Sequence, residues 1–100
     1  MTTSLDLNVS MPELTRTLLD IYSVSGEEKT IADTVYEALS AYPHLHLTRD
    51  GDAMIARTEF GPRNGEERTR ILLAGHLDTV PLPTVAGSLG TVPASIVEDN

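Results

Sequence analysis

The chain of 100 residues contains no cysteine and no tryptophan, and its aromatic residues are three tyrosines and one phenylalanine. The missing cysteines exclude a disulfide framework, a thiolate zinc site and a cysteine nucleophile together, so any transition metal must be held by His, Asp or Glu. Basic residues are also scarce, seven against fifteen acidic ones, for a net charge of -8. Such a field repels phosphate backbones and anionic lipid and argues against nucleic-acid or membrane partners. No stretch approaches the roughly 20 apolar residues needed to span a bilayer. Met1 to Val9 has neither a basic start nor an apolar run, so it reads as a loose leader rather than a secretory signal, and a cytoplasmic protein is expected. What remains is ordinary for a globular chain: 40% apolar and 22% charged residues, enough for a modest core.

Ser10-Met11-Pro12-Glu13 has the form of a capping box with Pro12 in the first turn. Leu14, Leu18 and Ile21 follow at helical spacing, with Leu19 and Tyr22 widening the stripe. Ser23 to Gly26 breaks this helix. Ser25-Gly26-Glu27-Glu28 forms a second capping box and predicts another helix, with Ile31, Val35 and Leu39 on its apolar face and Pro43 as its stop. The period then changes. His44 to Arg49 alternates as a half-buried strand does, Asp50-Gly51 signals a turn, and Ala53 to Thr58 reads as the returning strand. Gly61 to Arg68 is a polar loop. Ile71-Leu72-Leu73-Ala74 is an unbroken apolar run that suits a strand covered on both faces. Pro83 to Ser95, rich in Gly, Pro, Ser, Thr and Val, reads as a loop. The order helix, helix, hairpin, buried strand predicts an α/β beginning whose central strand lacks part of its cover.

Gly75-His76-Leu77-Asp78-Thr79-Val80-Pro81 follows the apolar run directly. Ligands of open α/β sheets bind at the carboxyl ends of strands. Residues i and i+2 of a strand share a side, so His76 and Asp78 can serve one site. A neutral imidazole ligates zinc well, and its second nitrogen needs an acceptor to fix tautomer and orientation. Asp78 is placed to be that acceptor, or a ligand itself, and Gly75 permits close backbone approach. On spacing alone, one His and one Asp are too few for a metal site, and a hydrogen-bonded pair at a strand end accounts for them. His44 and His46 fall on one face of the first strand and could in principle bind a metal, but their alternation with Leu45 and Leu47 marks an exposed polar face. Gly87 and Gly90 make no phosphate loop, since no Lys and no helix signal follow. Glu66-Glu67-Arg68 is a charged loop, and Glu98-Asp99 a solvated end.

The segment from Gly75 to Pro81 resembles the first metal motif of the M20 metallopeptidase and amidohydrolase family, G-H-x-D-x-V-P. Ser23-Val24-Ser25-Gly26-Glu27-Glu28 is similar to that family's S-x-S-G-x-E segment, and the likeness runs from about Pro12 to Pro81. Within the family it is greatest toward the bacterial succinyl-diaminopimelate desuccinylases, on Glu28 to Asp33 and the stretch through Arg57 and Phe60. Leu77 stands where many of these have Thr, and no Trp follows Pro81. Acetylornithine deacetylase and dipeptidase-like relatives are the alternatives, beside a non-catalytic binding module. The resemblance implies that residues 10–100 are the N-terminal portion of a zinc-hydrolase catalytic domain, a mixed β-sheet flanked by helices, without the family's second, dimerisation domain. It implies Zn2+ in a two-metal centre with His76 as one ligand. Asp78 would be the catalytic residue that orients His76, and Ser25 to Glu28 would be structural. The implied substrate is a small N-acyl amino acid and the parent a homodimer. The bridging Asp, the other ligands and the Glu general base are not found here, so the 100 residues alone are expected to be inactive.

Overall fold

A computed structural model describes residues 4–58, 65–84 and 94–97. Helix α1 spans Met11–Leu19, α2 spans Lys29–Ser40, and strands β1 (His46–Asp50) and β2 (Ala53–Arg57) form a two-stranded sheet. Phe60, Gly87, Gly90, Glu98 and Asp99 lie outside the described residues.

The serine half of the first capping box is formed, while the Glu13 side chain turns to Arg16. Ser10 has extended backbone, and its hydroxyl accepts the Glu13 N–H at 3.4 Å, satisfying one of the helix's orphan donors. Glu13 sits in the first turn, where the helix dipole favours an acid, and pairs with Arg16 one turn on. Leu14 and Leu18 are half-buried, and Ile21, just past the helix, is buried. Leu19 and Tyr22 do not widen the stripe; both are exposed, and Tyr22 lies beyond the helix.

The second cap differs from expectation. Helix α2 starts at Lys29 with Glu28 as its N-cap residue, and no side chain caps it. Glu27 N–H instead donates to Val24 C=O at 2.7 Å, closing a tight turn with Gly26 at φ +91°. A turn of this kind needs a positive φ at its third residue, which glycine supplies without strain. Ser25 therefore belongs to a turn ahead of the helix, and its side chain is available for other work.

Helix α2 carries most of the burial. Ile31, Ala32 and Thr34 are buried, Val35 and Leu39 half-buried, and the Thr34 hydroxyl returns a hydrogen bond to Thr30 C=O at 2.8 Å. The hairpin pairs Leu47 with Ala56, Arg49 with Met54 and Asp50 with Ala53, so the turn residues are Gly51 and Asp52. Gly51 has φ +59°, the sign that two-residue hairpin turns require at their first position. Arg49 joins sheet to helix. Its guanidinium lies 2.6 Å from the Asp33 carboxylate and 5.4 Å from the centre of the Tyr36 ring. Leu47, Arg49 and Met54 are half-buried on this side, while His46, Thr48 and Ile55 face outward.

The expected central strand is not formed. Ile71, Leu72 and Leu73 are outside any strand and are 80%, 82% and 91% exposed. A strand needs a partner's edge for its N–H and C=O groups, and residues 71–74 pair with neither β1 nor β2. The chain exposes 8345 Å², whereas a compact monomer of 10.8 kDa exposes about 5,500 Å². Its radius of gyration is 16.8 Å, against about 13 Å for a compact domain of this length.

Candidate metal centre

The two sequence motifs meet. Thr79 N–H donates to Ser23 C=O at 2.8 Å, and Ser25 N–H donates to Thr79 C=O at 2.9 Å, forming a parallel bridge centred on Val24 and Thr79. The bridge brings the turn before α2 against the segment that carries His76 and Asp78. It rests on main-chain groups, so it depends on the path of the chain rather than on side-chain identity.

Within the segment, His76 Nδ1 lies 2.9 Å from the Asp78 carbonyl oxygen and 3.1 Å from its carboxylate Oδ1. An ionised carboxylate and a carbonyl can only accept, so Nδ1 carries the proton and donates to them. The lone pair then resides on Nε2, the tautomer a metal-ligating histidine needs when its other nitrogen is engaged. His76 and Asp78 do lie together, though not as residues i and i+2 of a strand, since both are outside any strand. The side chains remain open to solvent, 82% exposed for His76 and 40% for Asp78.

Asp78 is held below the usual carboxylate range. Hydrogen bonding from the Ser25 side chain is the largest cause; its own backbone N–H and the His76 ring act in the same direction, and partial desolvation opposes them. Sequence reasoning missed Ser25 as a partner of Asp78. The signal was present in Gly26, which suits a positive-φ turn better than the first turn of a helix. Beside it, Tyr22 is raised above its ordinary value, chiefly by a hydrogen bond to the Glu27 carboxylate. Glu28 Oε2 is buried and has no hydrogen-bond partner among the described residues.

Other candidates separate. His44 lies in the turn before β1, edge-on to the Tyr42 ring at 6.0 Å, so it shares no strand face with His46. A Cβ at Gly75 would meet no atom within 4 Å, so the fold described here does not itself require glycine there. Among the described residues no three His, Asp or Glu side chains converge on a point that could hold a metal. Among the described residues the donors here are one imidazole, His76, and the Asp78 carboxylate beside it, fewer than a zinc site needs.

Over 86 residues, 85% of its length, the chain is 46% identical to a Mycobacterium tuberculosis protein named as a succinyl-diaminopimelate desuccinylase. It is 42% identical over 71 residues to the succinyl-diaminopimelate desuccinylase of Corynebacterium glutamicum. It is 36% identical over 70 residues to a Thermococcus kodakarensis protein named as a LysW-lysine/LysW-ornithine hydrolase. The chain is similar to hydrolases. It spans about a fifth of these relatives, 22% of the first and 18% of the other two. No family model and no solved structure matches it. No helix among the described residues is long and apolar enough to cross a membrane.

Proposed function

We propose that this chain is the N-terminal part of the catalytic domain of a zinc-dependent amide hydrolase of the M20 type. Its proposed reaction is hydrolysis of N-succinyl-LL-diaminopimelate to succinate and LL-diaminopimelate, in the cytoplasm and by a homodimeric parent. The observation that carries the reading is the pairing of His76 with Asp78, in a segment docked on the Ser23–Gly26 turn, in a chain similar to proteins named for that activity. In this reading His76 Nε2 would hold one zinc of a two-metal centre. A bound zinc polarises the scissile carbonyl and lowers the pKa of water. Asp78 keeps the proton on Nδ1 and the ring in place. The remaining ligands and the general base would come from parts of the protein outside these 100 residues, which by themselves would be inactive.

The test is succinate release by the gene product that carries residues 1–100, with and without a chelator, beside its His76→Ala variant. Activity should fall by more than about 100-fold in both cases, as expected for a lost first ligand. Full activity in His76→Ala would falsify the assignment. A second reading, hydrolysis of another N-acylated lysine- or ornithine-type compound, is favoured by the similarity to the Thermococcus protein. Comparison of kcat/KM for the succinylated substrate and for N-acetylornithine separates the two. A third, a non-catalytic binding module, is favoured by the lack of three converging ligands among the described residues. It would be upheld by a gene product that hydrolyses none of these amides.

A further inference from the structure

Residues 4–8, ahead of α1, border helix α2. Leu5 and Leu7 are half-buried while Ser4, Asp6 and Asn8 are exposed, the alternation of an extended segment with one side against a surface. They line one groove of about 260 Å³ with Thr34, Glu37 and Ala38 of the helix and Ala41 and Tyr42 just past it. Positions 34, 38 and 41 recur at helical spacing and make one row. That row is on another side of the helix from Asp33 and Tyr36, which meet Arg49. Its threonine and alanines are small enough for a chain to come close. Thr34 is 1% exposed, and its hydroxyl is bonded to Thr30 C=O, so its burial strands no polar group. The Asp6 carboxylate accepts the Asn8 N–H at 2.9 Å, a turn that leads into the Ser10 cap of α1. We propose that residues 4–8 are a clasp. Closed, it covers the row of Thr34, Ala38 and Ala41 and keeps the last turn of α2 folded; open, it frees that row while the hairpin stays paired.

Helix α2 needs such cover. It has 12 residues, no side-chain cap at its start and no basic residue in its last turn. A helix of this length is marginal by itself, and terminal carbonyls with no cation beside them gain nothing from the dipole. The hairpin's Arg49 reaches the helix at Asp33 and Tyr36, and residues 37–40 lie beyond those two. There the clasp supplies apolar cover through Leu5 and Leu7. Its hold is slight. Both leucines are only half-buried, and the groove has room for several waters at about 30 Å³ each. Segments with few buried apolar contacts and exposed backbone open locally, at lower cost than the molecule as a whole. The groove is lined by neither Arg49, Asp33 nor Tyr36, so the clasp and the hairpin contact share no side chain, and one can open without the other.

The experiment is amide hydrogen exchange, residue by residue, in the full 100-residue chain. Three proteins are compared with wild type: Leu5→Ser/Leu7→Ser, Leu5→Met/Leu7→Met, and a variant lacking residues 2–8, which keeps the Ser10 cap. In the serine variant and the deletion, protection of the Ala38, Leu39 and Ser40 amides should fall about tenfold, while the paired amides of β1 and β2 change by less than about twofold. The methionine variant, which keeps apolar contact, should match wild type. Unchanged protection at residues 38–40 in the serine variant overturns the proposal. An equal fall in helix and hairpin also overturns it, since residues 4–8 would then belong to one cooperative core. The same holds if the methionine variant loses as much protection as the serine one. Should the deletion fail to fold, the two point variants carry the test. None of these results depends on metal or on hydrolysis, so they stand or fall apart from the hydrolase reading.

Discussion

Helix α2 and the segment Ile71–Ala74 are both apolar stretches, and the more uniformly apolar of the two is the one left in water. Ile31 is 6% exposed and Leu73 is 91% exposed. Helix α2 satisfies its backbone within itself, and the hairpin lies against it through Arg49, which meets Asp33 and Tyr36 of the helix. A strand covered on both faces needs neighbouring backbone along its edges and a layer above and below. Hydrophobicity states a requirement for cover. Whether it is met depends on what else the chain can bring to that place.

The sharpest way to break this comparison is native-state hydrogen exchange. Interior amides of α2 should be protected by about 100-fold or more relative to those of Ile71–Ala74, which should exchange near unfolded-chain rates. Equal protection would mean that residues 71–74 are already in a hydrogen-bonded strand. Truncation gives the next largest contrast. Ile31→Ala should cost about 2 kcal/mol or more in urea denaturation, whereas Leu73→Ala should change stability by less than about 0.5 kcal/mol. The glycines extend the comparison to the backbone. Gly51→Ala, at φ +59°, should cost about 1 kcal/mol, and Gly75→Ala should leave the melting temperature unchanged because its added Cβ meets nothing.

The smallest expected effect is on pH dependence. Hydrogen bonds from Lys29 and then Arg49 hold Asp33 below its ordinary value. A carboxylate depressed by folding contributes stability that is present above its unfolded pKa, about 3.9. That contribution is lost as pH falls through the lower folded value. Asp33→Asn should therefore flatten the acid limb of the stability profile by lowering stability at neutral pH, and leave the most acidic region little changed. An acid limb identical to wild type would remove the Asp33–Arg49 pair from the account of how helix and hairpin hold together.

The parts of the fold legible from sequence were those decided locally. Ser10 capped its helix because capping is settled within four residues. Ile31, Val35 and Leu39 marked the inner side of α2 through their period. Asp50-Gly51 announced the hairpin, displaced by one residue because Asp50 pairs with Ala53 and leaves Gly51 and Asp52 to turn. The failures were non-local. Ser25-Gly26-Glu27-Glu28 satisfies the capping-box pattern, but the competing turn is stabilised by Thr79, far along the chain. Ile71–Ala74 reads as a strand, and that reading presumes partners its own residues cannot supply. At the site, the His76–Asp78 contact was legible from spacing. The Ser25 contribution was not, since no pattern within either motif refers to the other.

The Val24–Thr79 bridge also has a kinetic consequence. Its two sides are separated by α2 and the whole hairpin, so closing it from an unfolded chain means ordering a long loop for two hydrogen bonds. Helix and hairpin form from near neighbours and shorten that loop before it closes. The docking of the His76 segment on the Ser23–Gly26 turn is thus formed late on the way to the folded state. By the same reasoning it is the first feature to come apart when the protein is mildly stressed, while the helix and hairpin still stand.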